Sequence, residues 1–196
     1  SMLNKNPEKD ATEPVATRFL DEKLFKSRTL TLFGDVDEKL ARNITERLLA
    51  LAAESDDPIT LYISSPGGHV ESGDVIYDII KFIKPEVHVI GTGWVASAAT
   101  TIYLAAKKEN RYALPNTRFL VHQPSGGSRG SASDIKIQAE QIIKMRARIN
   151  KLIADETGQP LERVAKDTDR DYWMTVDEAI EYGIVGRQIR SVSEIS

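Results

Sequence analysis

The chain has no cysteine among its 196 residues and only three histidines. Without thiolates it can form no disulfide, no cysteine nucleophile and no cysteine-ligated metal site. The histidines also lack the pairwise spacing of metal ligands. We therefore expect a protein that works without a metal.

Long apolar runs and an excess of one charge are also missing. Lys and Arg number 26 against 29 Asp and Glu, and both signs are spread along the chain. Nucleic-acid-binding proteins usually show a basic patch, and a membrane helix needs about 20 apolar residues. No secretory signal is evident, so we expect a cytoplasmic protein that binds neither nucleic acid nor membranes. A hydrophobic fraction of 41% is enough for one folded domain.

The chain divides into a polar start and a longer patterned region. Residues 1–17 contain Pro7 and Pro14 and show neither a helical nor a strand period, which predicts a flexible N-terminal arm. Residues 18–196 are predicted to form a single domain. Predicted strands cover 29–33, 59–63, 87–90 and 118–121, and predicted helices follow Asp37, cover 70–83, 95–107, 132–157 and 161–166, and start at a Thr175 capping box. This alternation predicts an α/β fold with a mostly parallel sheet.

The stretch GWVASAATTIYLAA holds one serine, Ser97, among small and apolar residues where a predicted strand gives way to a helix. A helix N-terminus favours developing negative charge, and a hydroxyl becomes a nucleophile once a base takes its proton. The G-x-S-x-G elbow of many hydrolases is absent here. Taken alone, the stretch therefore favours the alternative, in which small residues simply allow close helix packing.

Three further features could support a nucleophile. His122 ends an apolar strand, where α/β proteins tend to place functional groups, although a structural histidine would look the same. The loop SSPGGHV has paired glycines whose N–H groups could bind an anion, or it could be a simple turn. The run DTDRD could supply a carboxylate that orients a histidine, but spacing does not select which aspartate.

Four longer stretches, in this order, resemble the Clp protease proteolytic subunit, the caseinolytic serine peptidase family. They are LYISSPGG, GWVASAA, ALPNTRFLVHQPSGG and the segment from DETGQPLERVAKDTDRDYWMT to DEAIEYGIV. The resemblance covers about Thr29 to Ile189. It implies an α/β, crotonase-like fold of repeated β-β-α units with a projecting helical handle, for which we expect the helix at about 132–157.

The resemblance also assigns a serine endopeptidase site. Ser97 matches the nucleophile, His122 the general base and Asp171 the acid that orients it. The N–H groups of Gly68 and Ala98 match the oxyanion hole. Peptide bonds of unfolded proteins are the substrates that the family implies, and the resemblance implies that no cofactor is needed.

Assembly follows from the same resemblance. The family forms two stacked heptameric rings around a chamber and receives substrates from an AAA+ unfoldase, whose identity the sequence does not indicate. Asp134 and Arg170 match residues that link the rings, and Gly126 to Ser131 match the strand that joins the rings and lines the substrate path. Aromatic positions of the unfoldase docking pocket are matched by Tyr62, Phe82 and Tyr112.

Two departures from the family pattern leave alternatives open. Ala98 and Ala99 stand where the family usually has methionine and glycine, and the usual axial-loop sequence is not recognisable before Arg28. One alternative is a weakly active or regulatory ring subunit that works with a paralogous ring. A crotonase-type acyl-CoA enzyme on the same fold is the other, although that chemistry does not need an aligned Ser, His and Asp.

Overall fold

A computed structural model describes the backbone of residues 7–124 and 130–195 and the side chains of residues 15–124 and 130–195. It begins with helix α1, Pro7–Lys26, so the prediction of no regular structure in this segment is wrong from Pro7 onward. The segment is rich in good helix formers, proline is tolerated at the first helical position, and Lys23 and Lys26 suit the helix C-terminus. Residues 1–6 lie outside the described residues, and the flexibility of the arm stays a prediction.

Seven strands form one sheet in the described chain. They are β1 (Thr29–Phe33), β2 (Ile59–Ser65), β3 (Val87–Ala96), β4 (Arg111–Ala113), β5 (Arg118–Val121), β6 (Tyr172–Met174) and β7 (Arg187–Gln188). The order β1-β2-β3-β4-β7 is parallel throughout, and β5 branches from β3, also in parallel. Strand β6 pairs antiparallel with β5. The mostly parallel α/β sheet is thus as predicted.

The remaining helices are α2 (Glu38–Glu54), α3 (Val70–Phe82), α4 (Ala98–Tyr103), α5 (Ala132–Thr157), α6 (Leu161–Thr168) and α7 (Val176–Tyr182), with 3-10 turns at Lys108–Asn110 and Val192–Glu194. Their ends follow capping chemistry. Asp37 accepts a hydrogen bond from the Leu40 N–H, and Thr175 with Glu178 completes a capping box. The helix predicted at 132–157 has those bounds and ends at Gly158 in the left-handed conformation.

The prediction of a helix over 95–107 is wrong at both ends. Strand β3 continues to Ala96 because Trp94 and Ala96 pair with Arg118 and Leu120 of β5. This tertiary pairing outweighs the helical preference of the alanines. The shorter helix α4 then leaves Ser97 as the single residue between strand and helix.

The core lies between the sheet and helices α2, α3 and α4. Side chains from each layer are fully buried, among them Leu61, Val89, Leu48, Ile76 and Ile102. Helix α5 joins this core only through its C-terminal part, since residues 132–140 are all exposed. None of the helices within the described ranges is long and apolar enough to cross a membrane.

Candidate active site

Ser97 has an unusual backbone conformation. Its φ of 59° and ψ of −124° lie outside the backbone regions that residues other than glycine favour. Such a conformation costs on the order of 1–3 kcal/mol and clusters at functional sites. Its N–H donates to the Leu120 carbonyl at 3.2 Å, and the Thr100 hydroxyl lies 2.7 Å from the same oxygen. The turn from β3 into α4 is thus fastened to β5.

Strand register brings His122 and Asp171 together. In the antiparallel pair β5–β6, Val121 lies opposite Tyr172, so the next residues outward, His122 and Asp171, also lie opposite each other. The parallel pair β3–β5 aligns Ala96 with Leu120, which brings Ser97 to the same end of the sheet. Three residues from distant parts of the chain meet because three strands end together.

Two hydrogen bonds connect these three side chains in series. His122 Nε2 lies 2.6 Å from Ser97 Oγ, and His122 Nδ1 lies 3.1 Å from Asp171 Oδ1. With the proton on Nδ1 donated to the carboxylate, Nε2 is free to accept the serine proton. The His122 side chain is 30% exposed, so an incoming group can reach it. This arrangement can deprotonate Ser97 at the moment of attack.

The structure distinguishes the roles of the three aspartates in the DTDRD run, which their spacing in the sequence could not do. Asp169 is the C-cap of α6, and Asp167 accepts a hydrogen bond from the Tyr182 hydroxyl at 3.0 Å. Burial and this hydrogen bond raise the pKa of Tyr182 well above its ordinary value, which keeps the phenol protonated. Only Asp171 contacts His122 within the described chain.

The predicted oxyanion donors belong to segments that flank Ser97. The Ala98 N–H is the first of helix α4, and the first N–H groups of a helix have no partner inside it. The Gly68 loop is clamped on both sides, since the Val36 N–H donates to the Gly67 carbonyl and the Val36 carbonyl accepts from the His69 N–H. That the two N–H groups meet on one substrate oxygen stays a prediction.

Gly67 is a residue whose importance sequence reasoning missed. A Cβ added there would lie 2.6 Å from both the Ser97 Cβ and the Ala96 carbonyl oxygen. The paired glycines suggested a turn and a source of N–H groups, but not this close approach to the nucleophile. Only glycine lets the two segments come so close.

A small cavity of about 20 Å³ adjoins Ser97 and His122. Its walls come from α3, α4, α5 and the end of β5. The apolar part consists of Val70, Val121, Pro124, Ile149 and Ile153, and Thr100 and Thr101 add polar side chains. Ala98 and Asp74 also line it. Sequence reasoning did not single out Asp74, although Val70, Gly73 and Asp74 share one face of α3 by their i, i+3, i+4 spacing.

The residues predicted to link rings belong to different parts of the fold. Asp134 is in the first turn of α5, where its N–H donates to the Ser131 hydroxyl, and Arg170 precedes Asp171. No ion pair joins Asp134 to Arg170 among the described residues. Their contact across rings stays a prediction. Most of the predicted strand from Gly126 lies outside the described residues, which resume at Gly130.

The predicted docking aromatics fall into two settings. Tyr62 and Tyr112 belong to a small apolar cluster with Ile90 and Ile189, which is separate from the main core. Phe82, at the end of α3, is 79% exposed. A docking role for these residues stays a prediction.

A serine, a histidine and an aspartate that are hydrogen-bonded in this order are the arrangement found in serine hydrolases. Here an α/β scaffold carries them. The family model described as Clp protease matches residues 15–191. The chain therefore belongs to the Clp protease family. This membership confirms the predicted protease class and favours it over an acyl-CoA enzyme.

Similar proteins cover nearly the whole chain. It is 55% identical to the ATP-dependent Clp protease proteolytic subunit 3 of Rhizobium etli, over 98% of this chain and 100% of that protein. Subunit 2 of Pseudomonas aeruginosa is 51% identical over 90% of this chain and 88% of its own. The solved structure of ClpP1 from Listeria monocytogenes is 52% identical, with a TM-score of 0.82 over 90% of this chain and 99% of that one. These likenesses confirm the predicted crotonase-like fold.

Proposed function

We propose that the chain is the serine endopeptidase subunit of a Clp protease, with Ser97 as nucleophile, His122 as general base and Asp171 as the orienting acid. The observation that carries the proposal is the 2.6 Å contact between His122 Nε2 and Ser97 Oγ. A base within hydrogen-bond reach is what turns a serine hydroxyl into a nucleophile. The 3.1 Å contact from His122 Nδ1 to Asp171 supports the imidazole tautomer with its proton on Nδ1, which leaves Nε2 free to act as the base.

The reaction proceeds in two stages. Ser97 Oγ attacks the scissile carbonyl carbon as its proton passes to His122, and the oxyanion is received by the N–H groups of Gly68 and Ala98. His122 then protonates the leaving amine, which leaves an acyl group on Ser97 that water removes by the same proton path. Loss of one oxyanion donor typically costs on the order of 10²–10³ in rate, so the geometry of the clamped glycine loop contributes to catalysis alongside the side chains.

The assembly that we propose is two stacked heptameric rings of this chain, fed with unfolded proteins by an AAA+ unfoldase in the cytoplasm. The relatives' names describe an ATP-dependent protease and a proteolytic subunit, which supports a chain that works within a larger complex. The exposed start of α5 supports it too, because Ile135, Ile137 and Ile143 are 41%, 56% and 64% exposed on the single chain. Apolar side chains grouped on one helix usually mark an interface.

A second candidate is a weakly active subunit that works within a mixed assembly with a paralogous ring. The observation in its favour is Ala98, which lines the cavity beside Ser97 with only a methyl group. A shallower wall would hold a substrate side chain less firmly. The connected Ser97, His122 and Asp171 favour the first candidate.

Hydrolysis of a fluorogenic peptide by the purified assembled protein tests the proposal. We expect turnover by the unmodified chain and none by Ser97→Ala, because the alanine has no oxygen to form the acyl-enzyme. Ser193→Ala is the matched control, since Ser193 is exposed near the C-terminus and its substitution should leave peptide turnover unchanged. Equal turnover by Ser97→Ala would contradict the proposal, and turnover only after a paralogous ring is added would favour the second candidate.

A further inference from the structure

Two tryptophans and an arginine lie together on one face of the sheet, and we call them the tryptophan–arginine patch: Trp94 of β3, Arg118 of β5 and Trp173 of β6. Trp94 pairs with Arg118 in register, and Leu120, two residues further along β5, lies opposite Trp173. Paired residues project to the same face of a sheet, and successive residues alternate between faces. Phe119, between Arg118 and Leu120, is buried in the main core, so the patch lies on the face away from that core.

The patch leaves two indole rings and a cation open to solvent. Trp94 and Trp173 are 41% and 37% exposed, and Arg118 is exposed as well. The central carbon of the Arg118 guanidinium lies 4.4 Å from the centre of the Trp173 ring, which is a cation–π contact. No carboxylate within residues 15–124 and 130–195 forms an ion pair with Arg118. An aromatic ring thus positions the guanidinium, while its charge remains available to an anion.

The same three strands carry the catalytic residues at one end. Strand β3 runs into Ser97, β5 into His122, and β6 starts directly after Asp171. The alternation of side chains along β5 and β6 places His122 and Asp171 on the same face as the patch. At about 3.3 Å per residue, the Cα atoms of His122 and Arg118 are about 13 Å apart, a distance that an extended peptide covers with about four residues.

The patch lies on the side of the site where the leaving half of a peptide departs. His122 gives its proton to the leaving amine, so the chain beyond the cleaved bond starts next to the imidazole. The cavity beside Ser97 is a separate feature, since its lining includes neither Arg118 nor the two tryptophans. The patch therefore provides contacts that the cavity does not, on the strands that carry His122 and Asp171.

We propose that the tryptophan–arginine patch binds an acidic side chain of the substrate, at about the fourth residue on the leaving side of the cleaved bond. A carboxylate can accept two N–H groups of Arg118 while the indole rings pack on its aliphatic part. An acid next to the cleaved bond gains nothing, because the 68% exposed side chain of Asp171 repels it. The inference rests on the proposed peptidase function and adds a specificity-determining site for it.

Tryptophan fluorescence tests binding at the patch without any turnover. The chain contains two tryptophans, and both belong to the patch. Assembled Ser97→Ala protein, which cannot form an acyl-enzyme, is titrated with two capped peptides that contain no tryptophan and differ only by a central Asp or Asn. We expect the Asp peptide to bind about fivefold more tightly, the upper end for an exposed ion pair, and Arg118→Gln to abolish the difference.

Peptide hydrolysis then locates the acidic residue along the substrate. Quenched fluorescent peptides carry Asp or Asn at the first or the fourth position after the cleaved bond, which mass spectrometry verifies. We expect Asp at the fourth position to lower KM about fivefold relative to Asn, with kcat little changed, and Asp at the first position to give no gain. In Arg118→Gln the two KM values should become equal. This ratio does not depend on the overall activity of a variant.

Arg187→Gln is the matched control. Arg187 also lies over an aromatic ring, that of Tyr112, but on β7, which pairs with β4 and carries no catalytic residue. We expect this variant to keep the full preference for Asp. If Arg118→Gln does not assemble, Arg118→Lys serves instead: it keeps the charge but loses the planar fork, and we expect the preference to fall to about twofold.

Equal binding of the two peptides would overturn the inference, and so would a preference that persists in Arg118→Gln, is unchanged in Arg118→Lys, or is lost in Arg187→Gln. Tryptophans that acrylamide does not quench in the assembled protein would show that another subunit covers the patch, which would also overturn it. If the unmodified assembly cleaves no peptide, the proposed function fails and the patch loses its place on a substrate path, whereas cleavage without an effect of charge removes the inference alone.

Discussion

Ser97 combines a strained backbone with a hydrogen-bonded hydroxyl. Its φ of 59° is shared in sign by one other non-glycine residue of the described chain, Arg28. Strain of this kind persists only where the surroundings over-determine it, and here β3, β5 and α4 all bear on one residue. The hydroxyl is thereby held 2.6 Å from the imidazole.

The role of Asp171 can be tested without changing the shape of the site. We expect Asp171→Asn to lower the rate of peptide hydrolysis by about 10²–10⁴-fold, because an amide favours the wrong imidazole tautomer and cannot stabilise imidazolium. Asp169→Asn is the control, since Asp169 caps α6 and does not contact His122. Initial rates on a fluorogenic peptide give the comparison, and full activity in Asp171→Asn assemblies would remove the residue from the mechanism.

Single residues show where sequence reasoning stopped. The sequence around Ser97 allowed two interpretations, a nucleophile or a small residue that permits close helix packing. The two cannot be distinguished until the residues that lie next to Ser97 in space are known. The family resemblance, and not spacing, selected Asp171, and the register of β5 with β6 shows why that aspartate meets His122. Asp74 and Gly67 could not be selected, since each matters through a contact with a distant segment.

Helix ends could be predicted from the sequence more readily than short strands. The caps at Asp37 and Thr175 were predictable because capping depends on residues close together in the chain. Strands β4, β6 and β7 were not, because two or three residues carry no measurable period and form strands only by pairing with neighbours. The same dependence on pairing lengthened β3 and shortened α4.

Two glycines at helix ends provide a matched stability test. Gly158 and Gly183 end α5 and α7 with φ of 79° and 100°, but a Cβ on Gly158 meets nothing within 4 Å, whereas one on Gly183 would lie 2.2 Å from the Thr157 carbonyl oxygen. We expect Gly158→Ala to lower the free energy of unfolding by about 1 kcal/mol and Gly183→Ala by about 3 kcal/mol. Urea denaturation monitored by circular dichroism measures both. Equal losses would contradict the close approach of Gly183 to the Thr157 carbonyl.

At the scale of the whole molecule, the single chain leaves apolar surface uncovered. Residues 132–140 of α5 are exposed, and Phe19 of α1 and Phe82 of α3 are 63% and 79% exposed. Helices with unburied apolar side chains gain stability by association. The exposed start of α5 therefore supports the proposal that it packs against neighbouring subunits.

The handle assignment predicts the size of the particle. We expect light scattering to report fourteen chains of 21.8 kDa each. Ile143 is 64% exposed on α5, so Ile143→Glu should split the particle into single rings by placing a charge in a contact between rings, whereas Ile143→Val should leave it whole. A monomeric mass for the unmodified chain, or an intact particle with Ile143→Glu, would contradict this assignment.

Covalent labelling of the assembled particle with a fluorophosphonate tests the central claim most directly. The claim is that Ser97, His122 and Asp171 activate one hydroxyl, so we predict one adduct per chain by intact mass, located on Ser97 by peptide mapping and absent from Ser97→Ala. An unmodified mass in a sample shown to be fully assembled, or an adduct on another residue that persists in Ser97→Ala, would contradict it.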